Sequence, residues 1–272
     1  SSSDGSLLDR AFLVMMNPNT GEILSMVGKR VEYDAGGKMY LADYSYGTFT
    51  TAYEIGSTVK GATLLTGYRE GAVTIGTTQI DEPIVLGENL VKSSIFNRSG
   101  RIRMDDLMAL EQSSNVYMFK IAMSMGGLSY YPYIGIASLL RDDTLQRLRN
   151  GYAQVGLGVP TGIDLPGETA GVIGVPDSPG KVLDITIGQF DTYTPLQLAQ
   201  YVSTIANGGY RVQPRLLKEI RKPSKDGETL GPLVEEIEPK ILNRLDNTQA
   251  EIDRVREGFR RVYYGARGTA RA

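Results

Sequence analysis

One stretch limits what this chain can fold into more than any other: Glu54-Ile55-Gly56-Ser57-Thr58-Val59-Lys60-Gly61-Ala62-Thr63-Leu64-Leu65. A helix as uniformly apolar as Val59 to Leu65 belongs inside a core, with other elements packed around it. Lys60 then begins that helix in a partly desolvated place, where burial disfavours the ammonium and lowers its pKa. Positions i and i+3 share a helix face about one turn apart, so the spacing predicts that the Lys60 amine reaches the Ser57 hydroxyl. A nucleophile and a base together at a helix N-terminus, whose free N–H groups suit an oxyanion, are the minimum for serine acyl transfer.

Composition removes the competing chemistries. The chain has no histidine and no cysteine, which excludes a Ser-His-Asp relay, a thiolate nucleophile and a thiolate zinc site. Covalent catalysis would have to run on Ser, Thr, Lys, Tyr or a carboxylate. Taken alone, Ser57-x-x-Lys60 is more simply a serine cap followed by a solvated lysine.

The 272 residues suffice for one large domain or two small ones. With 29 basic and 31 acidic residues the net charge is -2, so no whole-chain field draws it to nucleic acid or to an anionic membrane. The lack of cysteine leaves the compartment open. No run of eighteen apolar residues occurs, and the start, Ser1 to Ser6, carries neither a charged nor an apolar leader segment. Any membrane anchor of a parent protein is expected outside this chain.

Ala11 to Met16 and Ile23 to Val27 read as strands from the middle of a sheet, joined by the turn-forming Asn17-Pro18-Asn19-Thr20-Gly21-Glu22. Residues 28–51, rich in Gly, Tyr, Asp and Ser, read as a long surface connection. The Ser57 helix stops near Gly67 to Gly71, and residues 73–103 read as loops and short strands. Asn97-Arg98-Ser99 matches a glycosylation acceptor, a motif short enough to be coincidence.

Asp105 and Asp106 start a helix that Gln112-Ser113-Ser114-Asn115 interrupts with cap-forming residues; a second helix runs from Val116 to Met125. A serine hydroxyl aimed into a cleft from that junction can pass a proton to a leaving amine, and an asparagine amide can both donate and accept. By itself the junction is only a cap.

Gly156 to Gly162 is mis-spaced for a nucleotide loop. Thr194 and Pro195 start a helix whose Leu198, Val202 and Ile205 read as a core stripe. Residues 211–220 and 233–237 read as strands around a solvated loop from Lys222 to Glu228. Thr248 and Glu251 form a capping box for a last helix that turns Ile252, Val255, Phe259 and Val262 inward and Arg254, Arg256, Arg260 and Arg261 to solvent.

Together these motifs carry a resemblance. Glu54 to Lys60 followed by Ser113-Ser114-Asn115 resembles the first two active-site motifs of the penicillin-binding protein transpeptidases. Asn17 to Leu24, Thr161 to Glu168, Gly188-Gln189-Phe190, Thr194 to Ala199 and Ile205 to Gly209 resemble the same family in order. The wording is most similar to the monofunctional class B enzymes, especially the 2B-like branch of Gram-positive bacteria. The resemblance implies an α/β fold of the penicillin-binding and serine β-lactamase-like kind. A central antiparallel sheet, built from strands of residues 1–72 and 181–272 and covered by helices, would be joined by a mostly helical subdomain at 73–180.

It also implies a D,D-transpeptidase, with Ser57 as nucleophile, Lys60 as its base, Ser113 as proton relay and Asn115 holding Lys60 or the peptide. The substrate would be the D-Ala-D-Ala end of a peptidoglycan stem peptide, with β-lactams as acylating mimics and no metal or cofactor. The implied location is the extracytoplasmic face of a bacterial membrane, beside cell-wall synthesis partners such as a glycosyltransferase. The family's Lys-Thr-Gly-Thr tetrapeptide does not occur in the sequence. Tyr264 to Ala272 is similar to the segment before the strand that bears it, so the chain is expected to stop short of that strand. A serine β-lactamase, a β-lactam sensor domain, a D,D-carboxypeptidase and a non-catalytic scaffold of the division or elongation machinery stay open as alternatives.

Overall fold

The computed structural model describes residues 8–140, 143–224 and 227–271. The Ser1 to Ser6 start, Lys225 and Asp226 of the expected loop, and Ala272 lie outside the described residues. Strands β1 (Arg10–Met16) and β2 (Ile23–Tyr33) pair antiparallel across the expected turn, and β2 pairs in turn with β3 (Met39–Asp43). Residues 28–51 are therefore no surface connection. Val31 lies opposite Leu41 and Glu32 opposite Tyr40 in a ladder of strand-favouring residues, while Gly36 and Gly37 make only the turn after Asp34.

The sheet order is β1-β2-β3, which makes β1 an edge and leaves β2 alone in the middle. Along β1 the side chains alternate, with Phe12, Val14 and Met16 turned inward and Leu13 and Met15 exposed. After helix α1 (Gly47–Thr50), a 3-10 turn at Gly56–Val59 leads into α2 (Lys60–Arg69), which is buried from Lys60 through Tyr68. Four short strands follow, β4 (Gln79–Asp81), β5 (Ile84–Leu86), β6 (Leu90–Lys92) and β7 (Ile102–Met104), paired as β4 with β7 and β5 with β6.

Helices α3 (Asp106–Glu111) and α4 (Asn115–Met125) flank the interruption at Gln112 to Ser114, and α5 (Thr144–Gln154), α6 (Pro179–Ile185) and α7 (Pro195–Ala206) continue the chain. The last elements are β8 (Tyr210–Val212), β9 (Glu219–Arg221), β10 (Leu233–Glu236), β11 (Ile241–Arg244) and α8 (Gln249–Tyr264). Among the described residues the C-terminal strands form their own ladders, β8 with β11 and β9 with β10, and do not extend the N-terminal sheet. They are three or four residues long, and the connection between β8 and β9 meets the start of β2, where Glu22 bridges to Arg215.

The main core gathers around α2, which packs against α4, α5 and α8. Helix α7 starts at Thr194 and Pro195 as expected, with Thr194 and Gln197 forming a capping box, but its buried face differs from the expected stripe: Leu196, Gln197, Gln200, Tyr201, Thr204 and Ile205 are buried, Leu198 is half-buried and Val202 is 45% exposed. Two glutamines take core positions because their amides are satisfied there. Gln197 donates to the Val159 carbonyl (2.8 Å) and Gln200 to that of Val212 (3.0 Å).

On α8, Arg256, Arg260 and Arg261 pair locally with Asp253 and Glu257, as a solvated face should. Arg254 departs from that reading. Its guanidinium binds Asp105 and the fully buried Asp106, whose other oxygen accepts from the Tyr68 hydroxyl (2.5 Å) and the Gly76 N–H (2.9 Å). A carboxylate at the start of α3, otherwise costly to bury, thereby ties α8 to α3 and α2.

Candidate active site

Ser57 is exposed within the 3-10 turn, and the turn is fixed from behind. The Gly56 N–H donates to the Gly188 carbonyl (3.0 Å). Gly188 has φ +78°, and a Cβ there would lie 2.0 Å from the Gly56 oxygen, so only glycine allows the two backbones this close. The Tyr201 hydroxyl donates to the Thr58 carbonyl and accepts from the Ala62 N–H, each at 3.0 Å, which clamps the turn to the first turn of α2. Gly61 leaves room for this clamp, since a Cβ would meet the Tyr201 hydroxyl at 2.5 Å and the Phe259 ring at 2.4 Å.

Lys60, only 2% exposed, begins α2 and reaches across to the α3–α4 junction. Its Nζ donates to the Ser113 carbonyl (2.7 Å), the Ser113 hydroxyl (2.8 Å) and Asn115 Oδ1 (2.6 Å). Burial lowers its pKa to about 7, with the charge of Asp81 opposing the shift. Ser113 sits in the left-handed region at φ +57°, a strained conformation for serine. Its N–H is held by the Leu110 carbonyl (3.0 Å) and that of Ser114 by the Ala109 carbonyl (2.8 Å), so the end of α3 supports the strain that presents both Ser113 oxygens to Lys60.

Ser57, Lys60 and Ser113 line one cleft of about 320 Å³, walled by Leu110, Val202, Phe259 and Val262 and met by Thr269. Val202 is exposed both to this cleft and to a groove along β1 beside Val14 and Leu198. The structure joins Lys60, Ser113 and Asn115 by direct hydrogen bonds and sets Ser57 on the same cleft, but among the described residues no hydrogen bond links the Ser57 hydroxyl to Lys60. The expected Ser57 to Lys60 contact gives way because the long lysine side chain finds three acceptors on the far wall. The candidate oxyanion donor survives: Ser57 lies in the first turn, where N–H groups have no helical acceptor.

Residues 11–272 match the family described as the penicillin-binding protein transpeptidase domain. This chain belongs to that family. Penicillin-binding protein H of Bacillus subtilis is 48% identical over 257 residues, covering 94% of this chain and 35% of that protein. Peptidoglycan D,D-transpeptidase MrdA of Haemophilus influenzae is 28% identical over 234 residues, 81% of this chain and 32% of that protein. The solved structure of penicillin-binding protein 2B from Streptococcus pneumoniae superposes with a TM-score of 0.87 at 34% identity, covering 95% of this chain and 42% of that one. The chain therefore spans about a third of the length of the curated relatives it matches.

Within this transpeptidase domain, the segment Tyr264 to Arg271 forms no strand; the N–H of Arg267 donates to the Glu111 carboxylate (3.0 Å) and that of Thr269 to the Glu111 carbonyl (3.3 Å). A second layer of residues behind the Ser113 turn was not apparent from the sequence. The carboxylate of Asp81, 1% exposed, accepts from Ser94, Ser114 and Asn97. Ser94 Oγ accepts from the backbone N–H groups of Asn115 (2.9 Å) and Val116 (3.3 Å), and Ser114 Oγ from that of Tyr117 (3.0 Å). Nothing local marks Asp81, but Asn97 carried a signal. Its amide is buried and bonded to Asp81 and Gly100, which bears out reading its glycosylation match as coincidence.

Proposed function

We propose that this chain is the acyl-transfer domain of a peptidoglycan D,D-transpeptidase that β-lactams inactivate. The observation that carries the reading is a buried lysine, titrating near 7 and held by Ser113 and Asn115, in the cleft that also exposes Ser57. A base with a pKa near the working pH suits general-base catalysis, an effect of about 10²–10⁴ in rate.

In this mechanism neutral Lys60 takes the Ser57 proton as Oγ attacks the carbonyl carbon of the penultimate D-alanine. The backbone N–H of Ser57 faces the oxyanion. The C–N bond then breaks as Ser113 gives its proton to the departing amine nitrogen and takes the Ser57 proton from Lys60, 2.8 Å away; terminal D-alanine leaves and Lys60 is neutral again. An amine from a neighbouring stem attacks the Ser57 ester, forming the cross-link and returning the hydroxyl; water at the same step gives the D,D-carboxypeptidase product. Residues 73–180 supply the wall that carries Ser113 and Asn115, against the part that carries Ser57. The same reading places the domain outside the cytoplasmic membrane, beside a glycosyltransferase that makes the strands it joins.

The test is intact-protein mass spectrometry after exposure to a penicillin. A stable adduct of one penicillin, lost in Ser57→Ala, is expected. An adduct that hydrolyses away at once points instead to a β-lactamase, and no adduct with native protein overturns the reading.

A further inference from the structure

The mechanism makes no use of Asp81, yet its buried carboxylate accepts three side-chain hydrogen bonds directly behind the Ser113 turn. It is buried at the end of β4 and accepts from two serine hydroxyls and an asparagine amide. Each serine oxygen accepts in turn from the first turn of α4, so the free N–H groups of Asn115, Val116 and Tyr117 all reach the carboxylate through one hydroxyl. A helix N-terminus favours negative charge. Here the charge acts through a two-serine relay, and the turn so anchored is the one that bends Ser113 into its left-handed conformation and aims Asn115 at Lys60.

We propose that Asp81 is a positioning residue of the acyl-transfer site: through Ser94 and Ser114 it fixes the backbone that presents Ser113 and Asn115 to Lys60, and it is the buried negative charge that Lys60 faces. This rests on the function proposed above. The charged groups around it are accounted for. The Asp81 charge acts on Lys60 of α2 and on Lys120 of α4, the latter while donating to the Ile80 carbonyl (2.7 Å). Neighbouring Glu82 pairs with Arg101 (2.7 Å), and Lys92 on β6 with Asp184 (2.5 Å).

Removing the Asp81 charge leaves the Lys60 ammonium less favoured, so its titration moves to lower pH; an anchor acting only on stability would not move it. The experiment follows Lys60 by NMR against pH and measures acylation by a fluorescent penicillin, in native protein, Asp81→Asn and Ser94→Ala. Asp81→Asn is expected to lower the Lys60 midpoint and slow acylation tenfold or more. Ser94→Ala, which keeps the carboxylate, should slow acylation with the midpoint near its native position. An unchanged midpoint in Asp81→Asn, or acylation within twofold of native in both variants, overturns the proposal. Should Asp81→Asn not fold, Ser94→Ala decides by its acylation rate alone. A native protein that is never acylated sinks the transpeptidase reading instead, while the Lys60 midpoints still test Asp81.

Discussion

Lys60 Nζ lies 2.6 Å from Asn115 Oδ1, a contact between residues 55 positions apart in the chain. The partner is neutral, which lets burial hold the lysine near 7. Acylation of Ser57 should therefore rise with pH through about 7 as Lys60 loses its proton. In Asn115→Asp a carboxylate would take the amide's place, and an adjacent opposite charge raises a lysine pKa by about 1–3 units. The rising limb should shift upward by that amount, with a loss of about tenfold or more at neutral pH. Superimposable pH profiles would contradict this account of the site.

The same lysine makes stability depend on pH. Its folded value of about 7 lies below its ordinary 10.5, so between those values the unfolded chain binds more protons and the folded state gains stability as pH rises. For native protein the gain from pH 7 to about 9.5 is roughly 3 kcal/mol as an upper bound. Lys60→Met lacks it. Urea titrations of both proteins at the two pH values should show their difference changing in that direction, and parallel behaviour would refute it.

The half-buried Arg254 pairs with the fully buried Asp106 between α8 and α3. Removing the arginine leaves the buried Asp106 charge without its cation, at a cost of up to about 3–5 kcal/mol. Arg254→Met should lose stability of that order in chemical unfolding, whereas Arg256→Met, on the solvated face with a 54% exposed side chain, should change it by less than about 0.5 kcal/mol.

Helix α7 offers a contrast within one turn. Ile205 is 1% exposed and Val202 is 45% exposed on the cleft wall. Ile205→Ala should cost about 2–5 kcal/mol. Val202→Ala should leave stability within about 0.5 kcal/mol and alter the rate at which bulky β-lactams acylate Ser57. Equal thermal shifts for the two would show that Val202 belongs to the core after all.

What could be read from the chain in advance was whatever is decided locally. The Thr194 and Thr248 caps depend on residues three apart, and both are present as capping boxes. The four candidate site residues were legible as motifs, and the structure brings Lys60, Ser113 and Asn115 into contact. What could not be read depends on distant partners. Asp81 has a role only because β4 and residues 93–97 are brought to the N-terminus of α4. Gln197 and Gln200 occupy the core face of α7 only because loop carbonyls meet their amides, which turned Leu198 and Val202 outward from the expected stripe. The hairpin of β2 and β3 was hidden by glycines that belong to its turn.

Helix α2 is buried along nearly its whole length and packs on α3, α4, α5 and α8, and its first residue is the proposed proton acceptor. Segments with the most buried contacts open only with the whole molecule. The amides of Ala62 to Tyr68 should therefore exchange with deuterium no faster than global unfolding allows, while the exposed β9–β10 ladder exchanges freely. The reactive centre would then have no breathing motion of its own, and a ligand reaching Ser57 must find the crevice already built.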